Sequence, residues 1–235
     1  NKSKVMKHIF VSLLNFNGKK NTLACLESLA KINQINFKLT VVVVDNASTD
    51  GFIQEIQNYN SKLKIIRNER NLGFSGGHNI GIKYALENGA DYVFILNNDT
   101  YVDENFLEEL LKVLEKDNRI GIVVPKIYFA PGFEFHKSRY SEKERGKVFW
   151  YAGGKMDWQN VIGHNRGVDE VDKGQYDKTE VTEIATGCCM MIEREVFEKV
   201  GMFDDKYFLY YEDADLSIRT REKGFKIVYV PKSVI

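Results

Sequence analysis

Five strand-length apolar runs, separated by helix-length segments, fill the first 125 residues of this 235-residue chain. The runs are Ile9–Leu14, Leu39–Val44, Leu63–Arg67, Tyr92–Leu96 and Gly121–Pro125. Between them lie Asn21–Ile32, Ile53–Asn60, Gly76–Asn88 and Glu104–Asp117. In the first of these, Leu23, Leu26, Leu29 and Ile32 recur at helical spacing. Few folds accept such an alternation. Parallel strands need crossover connections, and strands buried on both faces read as continuous apolar runs. The pattern therefore predicts an α/β fold, a mainly parallel sheet with helices on both faces. Ligands in such sheets bind outside the carboxyl ends of the strands.

The rhythm breaks after Pro125. Residues 130–180 are polar, with clusters such as Ser141-Glu-Lys-Glu-Arg-Gly146, and predict loops and short antiparallel strands. Regular structure returns at Val181–Glu193, followed by helices at Glu195–Val200 and Asp213–Glu222 and a strand at Lys226–Val230. No repeat or linker divides the chain, so residues 1–235 read as one domain with an irregular insertion. Charge is balanced, 33 basic against 33 acidic residues, which offers no overall field for nucleic acid or anionic lipid. No uncharged apolar window reaches the roughly 18 residues of a membrane span. The start, Asn1-Lys-Ser-Lys, lacks the apolar core of a signal peptide. Cys25, Cys188 and Cys189 form neither a disulfide framework nor a CxxC metal pattern. They read as reduced, buried thiols, and a cytoplasmic setting is the expectation.

Polar residues gather where the runs end. Val41–Val44 leads straight into Asp45-Asn46-Ala-Ser48-Thr49-Asp50-Gly51. Ser48, Thr49 or Asp50 can cap the helix that follows, but capping does not explain Asp45. A carboxylate at a strand's carboxyl end can accept from a base imide or a ribose hydroxyl. The third strand runs into Asn71-Leu-Gly73-Phe-Ser-Gly76-Gly77-His78, where glycines allow close approach and a helix start favours phosphate. Its spacing is not the dinucleotide fingerprint, and the first turn, Asn15-Phe16-Asn17-Gly18, holds a single glycine. The fourth strand ends in Asn97-Asn98-Asp99-Thr100. This is good turn chemistry and equally a way to present an oxygen ligand to Mg2+ or Mn2+. The fourth cluster is Phe208-Leu-Tyr-Tyr211-Glu212-Asp213-Ala-Asp215, ahead of Arg219. Acids in a first helical turn suit the helix dipole, yet three acids beside three aromatics exceed that need. One carboxylate can serve as a general base while Asp215 pairs with Arg219 at i+4.

The four motifs in this order resemble the family 2 inverting glycosyltransferases of GT-A fold, nearest their rhamnosyltransferase-like branch. The resemblance runs from Val11-Ser12-Leu-Leu-Asn15-Phe16-Asn17 to Val228-Tyr-Val-Pro231. It includes Gly174-Gln-Tyr-Asp177, Thr186-Gly187-Cys-Cys-Met-Met-Ile-Glu-Arg194 and Val200-Gly-Met-Phe203-Asp204. It implies a Rossmann-like three-layer sandwich with a mostly parallel mixed sheet and a small antiparallel region on the acceptor side. Residues 1–125 become the nucleotide-binding half and 126–235 the acceptor-side half.

Roles follow by resemblance alone. Asn15 and Phe16 would line the base pocket, and Asp45 with Asn46 would meet the base or ribose. Asn71 and Gly73 would border the nucleotide, and Thr186-Gly187 would lie beside a sugar. The family's DXD motif matches Asn97-Asn98-Asp99, which puts Asp99 on a divalent cation and Asn97 and Asn98 on the nucleotide sugar. Asn97 stands where relatives carry an acid, so less charge is available for metal. The Glu-Asp pair matches Glu212-Asp213, with Asp213 the expected base and Glu212 the alternative. The implied reaction moves a sugar, with rhamnose the lean, from a UDP- or dTDP-sugar to a glycan or lipid-linked saccharide. Peripheral association at the inner face of the cell membrane is expected with it. Many relatives carry a His shortly after the strand matching Val228–Pro231, beyond the last residue Ile235. A catalytic core short of a C-terminal segment is therefore the expectation. A nucleotidyltransferase would want a glycine- and basic-rich loop after the first strand, which is absent. An inactive sugar-nucleotide or glycan-binding module stays open as the non-enzyme alternative.

Overall fold

A computed structural model of the chain describes residues 6–59 and 63–235. The predicted start Asn1-Lys-Ser-Lys and the last residue of the Ile53–Asn60 helix fall outside them. The first half runs β1 (Lys7–Asn15), α1 (Lys19–Leu29), β2 (Phe37–Asp45), α2 (Phe52–Tyr59), β3 (Lys64–Arg67), α3 (Gly73–Glu87), β4 (Tyr92–Asn97), α4 (Phe106–Leu114) and β5 (Ile120–Tyr128). The rest holds short β6 (Phe149–Tyr151), β7 (Gly154–Asp157), β8 (Ile162–Asn165) and β9 (Glu180–Thr182), then β10 (Cys189–Glu193), α5 (Arg194–Lys199), α6 (Glu212–Glu222) and β11 (Lys226–Val234).

One sheet joins the two halves in the order β3-β2-β1-β4-β10-β5-β11-β9, with β6 on β5; β7 and β8 form a separate hairpin. Strands β1 to β4 are mutually parallel, as is the β5–β11 pair. The sheet is mixed because β10 enters between β4 and β5 and runs antiparallel to both. Val181–Glu193, predicted as one regular stretch, is thus two strands in different places. The turn at Thr186–Cys188 parts them, closed by the Cys189 amide on the Thr186 carbonyl at 3.1 Å.

Helices cover both faces. On β1, Ser12 and Leu14 crowd Gly81 and Gly77 of α3, where a Cβ would come within 2.4 Å of each side chain. Asn15, of opposite parity, meets Thr22 of α1 on the other face. Phe94 shares that second face and packs edge-on against Phe106 of α4, centroids 5.2 Å apart. Between the layers Ile9, Val11, Leu13, Val42, Val43, Val44 and Phe94 are fully buried. The register aligns Asn15 with Asp45, Asp45 with Arg67, and Leu14 with Asn97. The polar strand ends therefore share one sheet edge.

Candidate active site

The deepest part of that edge is a closed polar knot. Asn15 donates through Nδ2 to Asp45 Oδ1 and Ser48 Oγ, both at 2.9 Å. Its Oδ1 accepts Thr22 Oγ1 at 2.7 Å. Asp45 Oδ2 accepts the Ser48 amide at 3.1 Å, with Arg67 Nε 3.7 Å away. Asn15, Thr22 and Asp45 are all 0% exposed. Asn15 and Asp45, expected beside the base and ribose, are buried here, and their polar atoms hold the ends of β1 and β2 together. Buried polar groups need such partners, and a single one left unmade costs about 1–3 kcal/mol. Phe16, one residue on, does project, 50% exposed. Asn98 closes the knot from β4, donating to Thr22 Oγ1 at 2.8 Å. Gly18 makes room for it, since a Cβ there would lie 2.5 Å from Asn98 Nδ2. Ser48 and Thr22 were not legible as site residues, because each reads as an ordinary cap or helix polar. The cap itself is Asp50, which accepts the Phe52 amide at 3.1 Å and the Lys19 amide of α1 at 2.8 Å.

The glycine-rich segment forms a second knot. Asn46 donates to Asn71 Oδ1 at 3.0 Å and the Gly73 carbonyl at 2.9 Å, and accepts Asn68 at 2.8 Å. Gly73 has φ +73°, and α3 begins there, three residues before the predicted start. A strap before α6 supplies the reason. The Phe208 carbonyl accepts the Phe74 amide at 2.7 Å, and a Cβ on Gly73 would sit 2.3 Å from that oxygen. The helix start expected to greet phosphate is thus capped at Phe74 by the chain's own strap. Beneath it His78 is fully buried against Ser12, with burial pushing its pKa down to about 3, so it is neutral.

Two carboxylates face open space. Asp99 is exposed and lines a cavity of about 360 Å³ with Asn97, Thr100, Tyr101, Trp150 and Cys188. The turn predicted there also forms, Thr100 Oγ1 donating to the Asn97 carbonyl at 2.7 Å. Asp213 lines a second cavity of about 320 Å³ with His164, Asn165, Ile184, Tyr210 and Tyr211. Its Oδ2 accepts the Gly187 amide and its Oδ1 the Ala214 amide, both at 2.8 Å. Burial raises the Asp213 pKa, and those amides pull against the rise. Glu212 is 4% exposed, Oε2 has no partner, and burial pushes its pKa up to about 7, with Asp213 adding to it. The two acids therefore differ in setting. Asp213 is held by the backbone at a cavity wall, whereas Glu212 lies buried. Asp215 bonds Arg219 at 2.6 Å, as the i+4 spacing predicts.

Gly187 and Cys188 stand between the cavities. Gly187 holds Asp213, while Cys188 lines the Asp99 cavity and its carbonyl accepts the Asn97 amide at 2.8 Å. Cys188 is half-buried, not buried as expected; Cys25 and Cys189 are buried, and all three are free. No cluster of three metal-ligating side chains exists among the described residues. One carboxylate and one amide fit a hard cation that draws most of its ligands from a diphosphate, and do not fit a cation held by protein alone.

Comparison with known proteins bears on this geometry. Residues 11–201 match the family model described as glycosyl transferase family 2. The chain belongs to that family. Among curated relatives of this family 2 domain, it is 28% identical to the "Low-salt glycan biosynthesis hexosyltransferase Agl10" of Haloferax volcanii, covering 79% of this chain and 54% of that protein. It is 25% identical to the "dTDP-rhamnosyl transferase RfbF" of Shigella flexneri, covering 95% of this chain and 67% of that protein. It is also 25% identical to the "N-acetylglucosaminyl-diphospho-decaprenol L-rhamnosyltransferase" of Mycobacterium tuberculosis, over 84% of this chain and 66% of that one. The family 2 domain thus spans little more than half to two thirds of these relatives. Among solved structures it superposes on GalNAc-T7 with UDP, GalNAc and Mn2+ at a TM-score of 0.74, with 20% identity, over 99% of this chain and 44% of that one. The mannosyltransferase PcManGT of Pyrobaculum calidifontis, in complex with GDP-Man and Mn2+, gives a TM-score of 0.67 at 18% identity, over 99% of this chain and 57% of that one. The fold is the GT-A fold, with the mixed sheet and small antiparallel hairpin that the sequence leads one to expect.

Proposed function

We propose that this domain is the catalytic part of an inverting glycosyltransferase that carries a hexosyl unit from a nucleoside-diphosphate sugar to a saccharide hydroxyl. The observation that carries the reading is the pair of carboxylates, Asp99 and Asp213, in two cavities parted by Gly187-Cys188. The donor diphosphate lies at Asp99 and Asn97. A divalent cation, Mn2+ or Mg2+, when bound at Asp99, neutralises charge gathering on the leaving diphosphate. Asp45, Asn46, Asn71 and Gly73 shape the nucleotide side, the first two by holding the strand ends and the loop. Phe16 offers its exposed ring to the base.

The acceptor enters the Asp213 cavity. Asp213 takes the proton from its hydroxyl as that oxygen bonds to the anomeric carbon, and the carbon–oxygen bond to the diphosphate breaks on the opposite face. Configuration inverts in a single displacement. A raised pKa makes Asp213 a stronger base, and two backbone bonds keep its orientation fixed. The rhamnosyltransferase relatives favour a dTDP-sugar donor, with rhamnose first, and the decaprenol-linked substrate named for one of them favours a lipid-linked acceptor. Peripheral association with the inner face of a membrane goes with that acceptor. No helix among the described residues is long and apolar enough to cross one.

Asn97, in place of an acid, favours a second reading, nucleotide-sugar binding without turnover. Calorimetric binding and turnover with a panel of UDP- and dTDP-sugars, with Mn2+, Mg2+ or EDTA, separates the two. Cation-dependent donor consumption supports the enzyme. Binding without consumption in every case, acceptor saccharides included, leaves only the module.

A further inference from the structure

Two of the elements that wall the Asp213 cavity carry exposed apolar residues beyond its lining. One wall is the β7–β8 hairpin, whose Gly163, His164 and Asn165 line the cavity. Its turn carries Trp158 and Val161, and β8 opens on Ile162; they are exposed by 58, 63 and 42%. Another wall is the strap, where Tyr210 and Tyr211 line the cavity and Leu209 beside them is 50% exposed. Single apolar side chains scattered over a surface are ordinary, but groups of them mark interaction sites.

The turn is also an uneconomical place for valine. Val161 has φ +55°, a region a β-branched residue adopts only under constraint, and hairpin turns there prefer Asn or Gly. Its side chain gains little burial in return. The turn is nevertheless held by strand pairing and backbone hydrogen bonds. Four residue pairs join β7 and β8, and Asp157 Oδ1 accepts the Gln159 and Asn160 amides at 3.0 and 3.2 Å. Lys155 and His164 are cross-strand partners on the face that carries Ile162, and both are exposed. Lys155 forms no ion pair with any described residue, while Asp157 on the same face is occupied by the turn amides.

We propose that this rim seats on an anionic lipid bilayer, with Trp158, Val161 and Ile162 entering the headgroup boundary and Lys155 meeting headgroup phosphates. Apolar side chains beside an unpaired lysine match that interface, and indole suits its depth. The inference rests on reading the Asp213 cavity as the acceptor site. At about 3.3 Å per strand residue, His164 lies roughly 7 Å along the hairpin from Ile162. The cavity mouth then stands near the headgroups, where a lipid-borne saccharide presents its hydroxyl.

Flotation with phosphatidylglycerol/phosphatidylcholine vesicles, without donor or acceptor, tests the surface apart from the chemistry. The chain is expected to float with the anionic vesicles and several-fold less with pure phosphatidylcholine. Trp158→Ser and Val161→Asn each lower the floated fraction several-fold, and together abolish it. Val161→Asn also relieves the backbone, so its melting temperature holds or rises, which separates lost lipid contact from lost folding. Absence of flotation in the parent chain, or unchanged flotation of the double variant, overturns the proposal. So does a concentration-dependent dimer that Trp158→Ser dissolves without any vesicle binding. Calorimetry with UDP and dTDP plus Mn2+ runs alongside: flotation without nucleotide binding supports the surface and removes the nucleotide-sugar transferase reading instead.

Discussion

The Gly187 amide bonds Oδ2 of Asp213 at 2.8 Å, and the very next residue, Cys188, lines the cavity that holds Asp99. A single peptide step of the Thr186–Cys188 turn therefore touches both carboxylates' surroundings. Burial raises the Cys188 thiol pKa well above its usual range, and the Asp99 and Asp213 carboxylates add to the rise. The thiol stays neutral between two acids.

Asp213→Asn keeps the shape of the side chain and one of its two acceptor oxygens, gives up one of the backbone bonds from Gly187 or Ala214, and removes the base. Transfer should fall by about 10²–10⁴-fold, with donor affinity unchanged by calorimetry. Near-normal turnover would assign the proton transfer elsewhere.

Asp99→Ala should weaken Mn2+-dependent binding of UDP or dTDP and leave metal-free binding as it was. Asn97→Asp, by adding a second charge beside Asp99, should strengthen the metal-dependent part. Titrations that are the same with and without EDTA in all three proteins would remove Asp99 from the cation site.

Gly73→Ala places a methyl group where the Phe208 carbonyl and ring already lie, at a φ of +73°. The strain alone should cost about 1–3 kcal/mol, read as a lower urea midpoint. Because the strap runs on to Tyr210, Tyr211 and Asp213, turnover should fall as well. A variant as stable and as active as the parent would show that the strap moves freely.

Glu212 gives a pH signature. Its pKa is pushed up to about 7 in the folded chain, against roughly 4.3 when unfolded. The folded state therefore binds the proton more tightly, and stability falls as pH rises between those values, on the order of 3 kcal/mol in total. Glu212→Gln abolishes this term. Urea unfolding at about pH 5 and about pH 8 should show the parent losing more stability than the variant over that interval. Equal losses would mean that Glu212 is ionised throughout.

Much of the site could be read in one dimension. The strand ends at Asn15, Asp45 and Asn97 follow from apolar runs meeting polar residues, and parallel pairing brings such ends to one edge. The Asp215–Arg219 pair follows from helical spacing. What the individual polar residues do was less accessible. Asn15 and Asp45 sit at the ligand edge by sequence yet direct their side chains to each other and to Ser48, because a polar atom buried at 0% exposure is stabilised by finding a partner.

Local periodicity and composition were enough for the α/β class, the ligand edge and the list of acids. Contacts between distant segments were not contained in them. The entry of β10 between β4 and β5, the Phe208 strap over Gly73, and the hairpin that brings His164 to the cavity of Asp213 each join stretches far apart along the chain. Hydrophobic spacing records which face of a segment is buried, but not which other segment buries it. That pairing arises only when the packed layers meet, and it separates the backbone-held Asp213 from the buried Glu212 beside it.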